Sequence, residues 1–161
     1  MTQLTPPPNA DALKAPPLPP LQDRVSFLVH RINAHLMRIT NPMLTRWGVD
    51  LTESRLMVAL LERGEMSAGE VVALMALPQS TVSHQLKRLE RLGYITRHPA
   101  KQDQRRIIAK LTKKGRSVAQ ESNEHSKNVT DELYFAIGEN DMDSVRGALK
   151  RVDDTLASRK V

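Results

Sequence analysis

SAGEVVALMALPQSTVSHQLKRLERLGYITRHPAKQDQRRIIAKLT, residues 67–112, is the stretch whose reading decides the fold. It opens on Ser67 and Glu70, spaced as a capping box, in which hydroxyl and carboxylate satisfy free N–H groups at a helix start. The short helix carries Val71, Val72 and Leu74 and ends near Ala76. Pro78, tolerated in a first turn, opens the next helix, which runs to about Leu92 and is stopped by Gly93. On that helix Val82, Leu86 and Leu89 share one face, and Ser80, His84, Lys87 and Arg91 lie opposite. Tyr94 to Arg97 and Ile107 to Leu111 then read as two strands of a hairpin, joined by a polar loop from His98 to Gln104. The order is helix, tight turn, helix, hairpin.

Upstream, apolar residues recur at helical spacing from Leu21 to about Trp47: Val25, Leu28, Val29, Ile32, Leu36, Ile39 and Met43. Pro42 removes a backbone donor there, so a bend is expected near Thr40. Thr52 is expected to cap a second helix with Leu56, Ala59 and Leu60 inside and Gly64 as its stop. Downstream, Thr112 caps a long helix with Val118, Ser122, His125, Val129, Leu133 and Ala136 on one face. A last helix follows Asn140, with Met142, Val145, Leu149, Val152 and Leu156 stepping by three and four. Residues 1–20 hold seven of the ten prolines and suit a mobile, partly polyproline tail. The fold class is therefore mainly α with a small β-hairpin wing. The expected organisation is a disordered tail (1–20), an N-terminal dimerisation and ligand-pocket helix (21–50), a winged helix-turn-helix lobe (51–112) and C-terminal dimerisation helices (113–161).

Charge narrows the partner. The chain carries +6, yet residues 84–116 hold eleven basic side chains against only Glu90 and Asp103, so this segment is +9 and the remainder −3. A localised field of that kind suits a polyanion, and a solvated basic face is the plain alternative. The absence of cysteine excludes disulfides, thiolate metal sites and thiol redox switching. No apolar run is long enough to span a bilayer, and the N-terminus lacks the pattern of a secretory signal, so a cytoplasmic protein is expected.

An α-helix fits the major groove, where base edges present distinct donors and acceptors. Gln79, Ser80, Thr81, Ser83, His84, Lys87 and Arg88 are the side chains of the fourth helix suited to those edges or to phosphates. The hairpin adds Arg97, Lys101, Asp103, Gln104, Arg105 and Arg106, from which an arginine can enter the adjacent minor groove. Asp103 either holds the Arg105 guanidinium by a charge-assisted hydrogen bond or simply forms the turn.

Ser80-Thr81-Val82-Ser83, Leu89-Glu90-Arg91-Leu92-Gly93-Tyr94-Ile95, Asp103-Gln104-Arg105 and Leu111-Thr112-Lys113-Lys114-Gly115, with Leu51-Thr52 upstream, resemble the multiple antibiotic resistance regulator (MarR) family across roughly residues 21–158. The resemblance implies a winged helix lobe, a two-fold dimer, and repression relieved by a small ligand, often an aromatic acid or its thioester. It maps the family's wing arginine to Arg105 and its supporting aspartate to Asp103. Many relatives carry arginine where this chain has Gln104, so one wing contact is absent here. The peroxide-sensing branch uses a cysteine, which this chain lacks.

The long apolar faces of the first and last helices need a partner surface, from a second chain or from within one chain. A homodimer would set its recognition helices one turn of DNA apart, on a near-palindromic operator. His35, Arg38 and Trp47 are the candidate ligand contacts for an aromatic anion. No cofactor and no metal site is expected, since His30 and His35 are five apart and do not share a helical face. Catalysis is not expected either: no phosphate loop, paired-acid motif or nucleophile elbow appears. A winged helix used for protein or RNA contact is the rival, and the presence of only five aromatics argues against single-strand stacking.

Overall fold

The computed structural model describes residues 17–100 and 103–159. The expected tail lies almost wholly outside the described residues, as does Lys101. The chain divides into two compact units between Ile39 and Thr40.

The first unit is the N-terminal part of helix α1 (Val25–Leu44), preceded by a 3-10 turn at Leu21–Asp23. Its apolar stripe faces outward in the single chain: Val25, Leu28, Val29, Ile32 and Ile39 are all exposed. The proline does not break this helix. α1 runs on through Pro42, which stands in its last turn, where few following hydrogen bonds depend on it. A 3-10 turn, Thr45–Trp47, then closes on Gly48 at φ 69°, a left-handed conformation that suits glycine.

The second unit begins with the end of α1 and contains α2 (Leu51–Arg63), β1 (Met66–Ser67), α3 (Ala68–Met75), α4 (Gln79–Arg91), β2 (Ile95–Pro99), β3 (Ile107–Leu111), α5 (Lys113–Ile137) and α6 (Glu139–Ala157). α2 starts earlier than Thr52. Asp50 is its cap, accepting from the Glu53 amide at 2.8 Å, while Glu53 Oε2 accepts from the Asp50 amide at 3.1 Å. A carboxylate with a glutamate three residues on satisfies two donors reciprocally. The Ser67–Glu70 box at α3 forms as expected, and Thr112 caps α5 through the Gly115 amide at 3.0 Å.

The sheet has three strands in the order β1-β3-β2, all antiparallel. The hairpin pairs Ile95 with Leu111 through to Pro99 with Ile107. β1, a third strand beyond the expected hairpin, pairs Met66 with Ala109 and Ser67 with Ile108. The core lies among α2, α4, the sheet and the start of α5, where Leu56, Met57, Leu60, Val82, Leu89 and Ala119 are buried. Burying each larger aliphatic side chain contributes about 1.5–3 kcal/mol. Burial fades along α5: Val118, Ala119 and Ser122 are inside, Val129 is half-buried, and Leu133 and Phe135 are exposed. On α6, Val145, Leu149, Val152 and Leu156 are exposed as a row. One chain leaves that face unpartnered.

Candidate nucleic-acid interface

α4 is amphipathic as its sequence predicts. Val82, Leu86 and Leu89 are buried, whereas Gln79, Ser80, His84, Lys87 and Arg91 are exposed and Thr81 and Ser83 half-buried. The helix starts at Gln79, with Pro78 as its cap residue and without a side-chain cap bond. Its first turn therefore keeps free N–H groups beside Ser80 and Thr81.

The wing meets this helix. Gln79 and Ser83 of α4 line one cleft of about 260 Å³ with Arg97, Arg105 and Arg106 of the hairpin. Residues fourteen to twenty-seven positions apart in sequence are thus presented on one surface. The turn at the hairpin tip is made by Asp103: its Oδ1 accepts from the Arg105 backbone amide at 3.0 Å, and the Arg106 amide donates to the Asp103 carbonyl at 3.0 Å. Of the two readings of Asp103, the turn-forming one holds. The Arg105 side chain is exposed with no intramolecular partner among the described residues, and Gln104 is exposed beside it.

Several cations in the basic segment are already committed. Arg88 binds the carboxylate of Glu53, whose side chain is 3% exposed, and donates from Nη2 to the Gly48 carbonyl at 2.6 Å. That hydrogen bond to Glu53 holds the Arg88 pKa above its ordinary value. Arg88 is therefore an internal strut, a difference from the expected DNA contact. The buried Glu53 carboxylate requires it, because an unpaired buried charge is costly. Arg97 donates from Nε to Glu90 Oε2 at 2.8 Å and keeps that carboxyl below the usual carboxylate range. Lys110 pairs with Glu65 at 2.6 Å. Arg106 reaches Ser67 Oγ at 3.3 Å and Glu70 at 3.9 Å. The side chains of Lys87, Arg91 and Arg105 have no such partner among the described residues and face solvent.

Sequence reasoning did not anticipate Glu53, Gly48 or the hydroxyl of Tyr94 as part of this architecture. Tyr94 is buried and donates to the Trp47 carbonyl at 2.7 Å, and burial pushes its pKa up. The Asp50–Glu53 spacing was the available signal for one of them. Of the candidate ligand contacts, His35 and Arg38 are exposed on α1 in the first unit, and Trp47 is half-buried in the second. Among the described residues no group of acidic, histidine or cysteine side chains could hold a metal ion, and no helix is long and apolar enough to cross a membrane.

Residues 47–106 match the model described as "MarR family". A 95-residue segment is 23% identical to the organic hydroperoxide resistance transcriptional regulator of Bacillus subtilis (strain 168), spanning 59% of this chain and 65% of that protein. That is less than two thirds of the relative's length. A 134-residue segment is 25% identical to the HTH-type transcriptional regulator PecS of Dickeya dadantii (strain 3937), spanning 81% of this chain and 80% of that protein. The fold matches S. aureus MepR in complex with DNA at a TM-score of 0.75 and 19% identity, covering 83% of this chain and 98% of that one. It matches Bordetella bronchiseptica BpsR, whose DNA binding is regulated by 6-hydroxynicotinic acid, at a TM-score of 0.75 and 19% identity, covering 85% and 98%.

Proposed function

We propose that this chain, whose residues 47–106 match the MarR family model, is a member of that family and a homodimeric, sequence-specific double-stranded DNA-binding regulator of transcription. The observation that carries the reading is the shared cleft of Gln79 and Ser83 with Arg105: one lobe presents a major-groove helix and a minor-groove arginine together. In this reading Gln79, Ser80, Thr81, Ser83, His84 and Lys87 address base edges and nearby phosphates, and Arg105 enters the minor groove, with Lys101 and Gln104 at the wing tip. Arg88 and Arg97, paired with Glu53 and Glu90, support these residues, and Arg106 lines the same cleft beside Arg105.

The exposed row on α6 and the exposed stripe on α1 support dimerisation, which places two lobes on a near-palindromic operator. The regulator is a repressor released by a small ligand, an aromatic acid or its thioester, acting in the cytoplasm without catalysis. His35, Arg38 and Trp47 are the ligand contacts that their chemistry offers. The likeness to a hydroperoxide regulator does not extend to thiol sensing, since the chain has no cysteine.

Selection of genomic duplex fragments by the purified protein, followed by sequencing, tests the reading. A recurrent near-palindrome with half-sites about 10 bp apart is expected. Enrichment of no duplex sequence over random would reject it.

A further inference from the structure

The turn at Thr45–Gly48 holds more directional contacts than a connector requires. Two consecutive carbonyls are taken by the DNA-reading elements: Trp47 O accepts from Tyr94 Oη at 2.7 Å, and Gly48 O accepts from Arg88 Nη2 at 2.6 Å. The Arg88 guanidinium is fixed a second time by Glu53, which also closes the cap of α2. On the far side, Arg46 pairs with Glu121 of α5 at 3.5 Å and lies 4.2 Å over the Trp47 ring. A short turn is thus tied to α4, to the α4–β2 junction and to α5, and through Arg88 it shares its hold with α2.

We propose that this turn is the joint that sets the tilt of α4, and that Arg88 and Tyr94 are positioning residues acting through it. The proposal rests on α4 being the DNA-reading helix. The apolar face of α4, Val82, Leu86 and Leu89, holds the helix against the core but is non-directional, so it tolerates small rotations. The N-terminus has no side-chain cap bond to fix it. Directional restraint comes from the other end, at Arg88 and Tyr94. Gln79 precedes Arg88 by nine residues, which at 1.5 Å per residue is about 13 Å along the axis. A tilt of about 10° at the anchored end therefore moves the base-facing end by about 2 Å, enough to take a side chain out of the 2.7–3.2 Å range of a hydrogen bond. Release of either carbonyl at the turn translates into loss of sequence reading with little loss of charge.

The test uses the full-length protein and three variants, Tyr94→Phe, Arg88→Gln and Glu53→Gln, on a duplex selected from genomic DNA and on a random duplex. Tyr94→Phe is expected to weaken binding to the selected duplex roughly fivefold, the worth of one neutral hydrogen bond, and Arg88→Gln roughly tenfold or more. Affinity for random duplex, and its salt dependence, should stay as in the wild type. Glu53→Gln, which frees Arg88 from a buried charge, should also weaken the selected complex. If Arg88→Gln weakens both duplexes equally and lowers the log–log salt slope by about 0.9, Arg88 touches a phosphate and the proposal fails. Stronger binding by Glu53→Gln fails it too.

A second arm needs no DNA. Trp47 is the single tryptophan, so emission of the free protein reports on the turn. Tyr94→Phe should shift that emission and speed hydrogen exchange of the α4 amides while leaving those of α5 unchanged. Wild-type emission and exchange in Tyr94→Phe and Arg88→Gln alike would overturn the joint. A wild type that binds no duplex defeats the reading of α4, and with it the purpose assigned to the tilt, even where the emission and exchange changes appear.

Discussion

The Gly115 backbone lies against the Tyr94 carbonyl so closely that an added Cβ would stand 1.9 Å from that oxygen and 2.7 Å from its carbon. The same carbonyl accepts from the Thr112 amide at 2.9 Å. The first turn of α5 is thereby seated on the chain segment that enters the wing. Gly115→Ala has no way to relieve a clash with backbone except by moving one of the two segments. It should cost about 1–3 kcal/mol or more, as overpacking does. A thermal melt is expected to drop by several degrees, and an unchanged midpoint would show that the contact is slack.

Among the described residues, the Arg105 side chain has no internal partner. Arg105→Ala should therefore weaken binding to the selected duplex by about 1–3 kcal/mol while leaving the melting temperature alone. Equal affinity of the variant and wild type in a fluorescence anisotropy titration would remove the wing arginine from the interface.

Internal pairing changes the electrostatic count. Lys87 is exposed with no partner among the described residues, whereas Arg97 is held by Glu90. Lys87→Gln is expected to reduce the log–log salt slope of binding by about 0.9, the value of one phosphate. Arg97→Gln should leave the slope nearly unchanged and lower thermal stability instead. The reverse assignment from titrations at four salt concentrations would mean that Glu90 releases its arginine on DNA.

Leu149 is 42% exposed and Val152 40% exposed in the single chain, so changing them costs the monomer little. Leu149→Glu should shift light scattering from dimer toward monomer at micromolar concentration, with far-ultraviolet helicity retained and operator binding lost. Persistence of the dimer would place the subunit contact elsewhere.

Acid should weaken the lobe in a defined way. Hydrogen bonds from Ser67 depress the Glu70 pKa, and Arg97 depresses that of Glu90. A carboxyl whose folded pKa lies below its unfolded one contributes stability that is present above the unfolded pKa and lost as pH falls through the folded one. Stability should therefore decline on acidification below the ordinary glutamate range. Glu90→Gln should flatten that part of the profile, and an identical profile in the variant would contradict the assignment.

Local signals made most of the lobe legible in the sequence. The Ser67–Glu70 box, Gly93 and Thr112 each act within a few residues, and the structure places helix boundaries where they stand. Asp50 shows the limit even of that: Thr52 was the expected cap, whereas the structure uses Asp50 with Glu53 three residues on. β1 was unreadable because two residues carry no alternation. The internal pairing of Arg88 was hidden for a deeper reason: its partner Glu53 is 35 residues away, and no periodicity reports a contact at that separation. A surplus of arginine looked like affinity for DNA, and part of it is the lobe's own scaffolding.

Ser67 belongs at once to the sheet, through its pairing with Ile108, and to the cap that starts α3. Wing and helical pair are consequently fastened together at this residue. If Arg105 and α4 occupy adjacent grooves as proposed, an effector that withdraws one is expected to withdraw the other. Induction in this protein would be a lift-off of whole lobes, visible in a footprint as simultaneous loss of protection in both grooves.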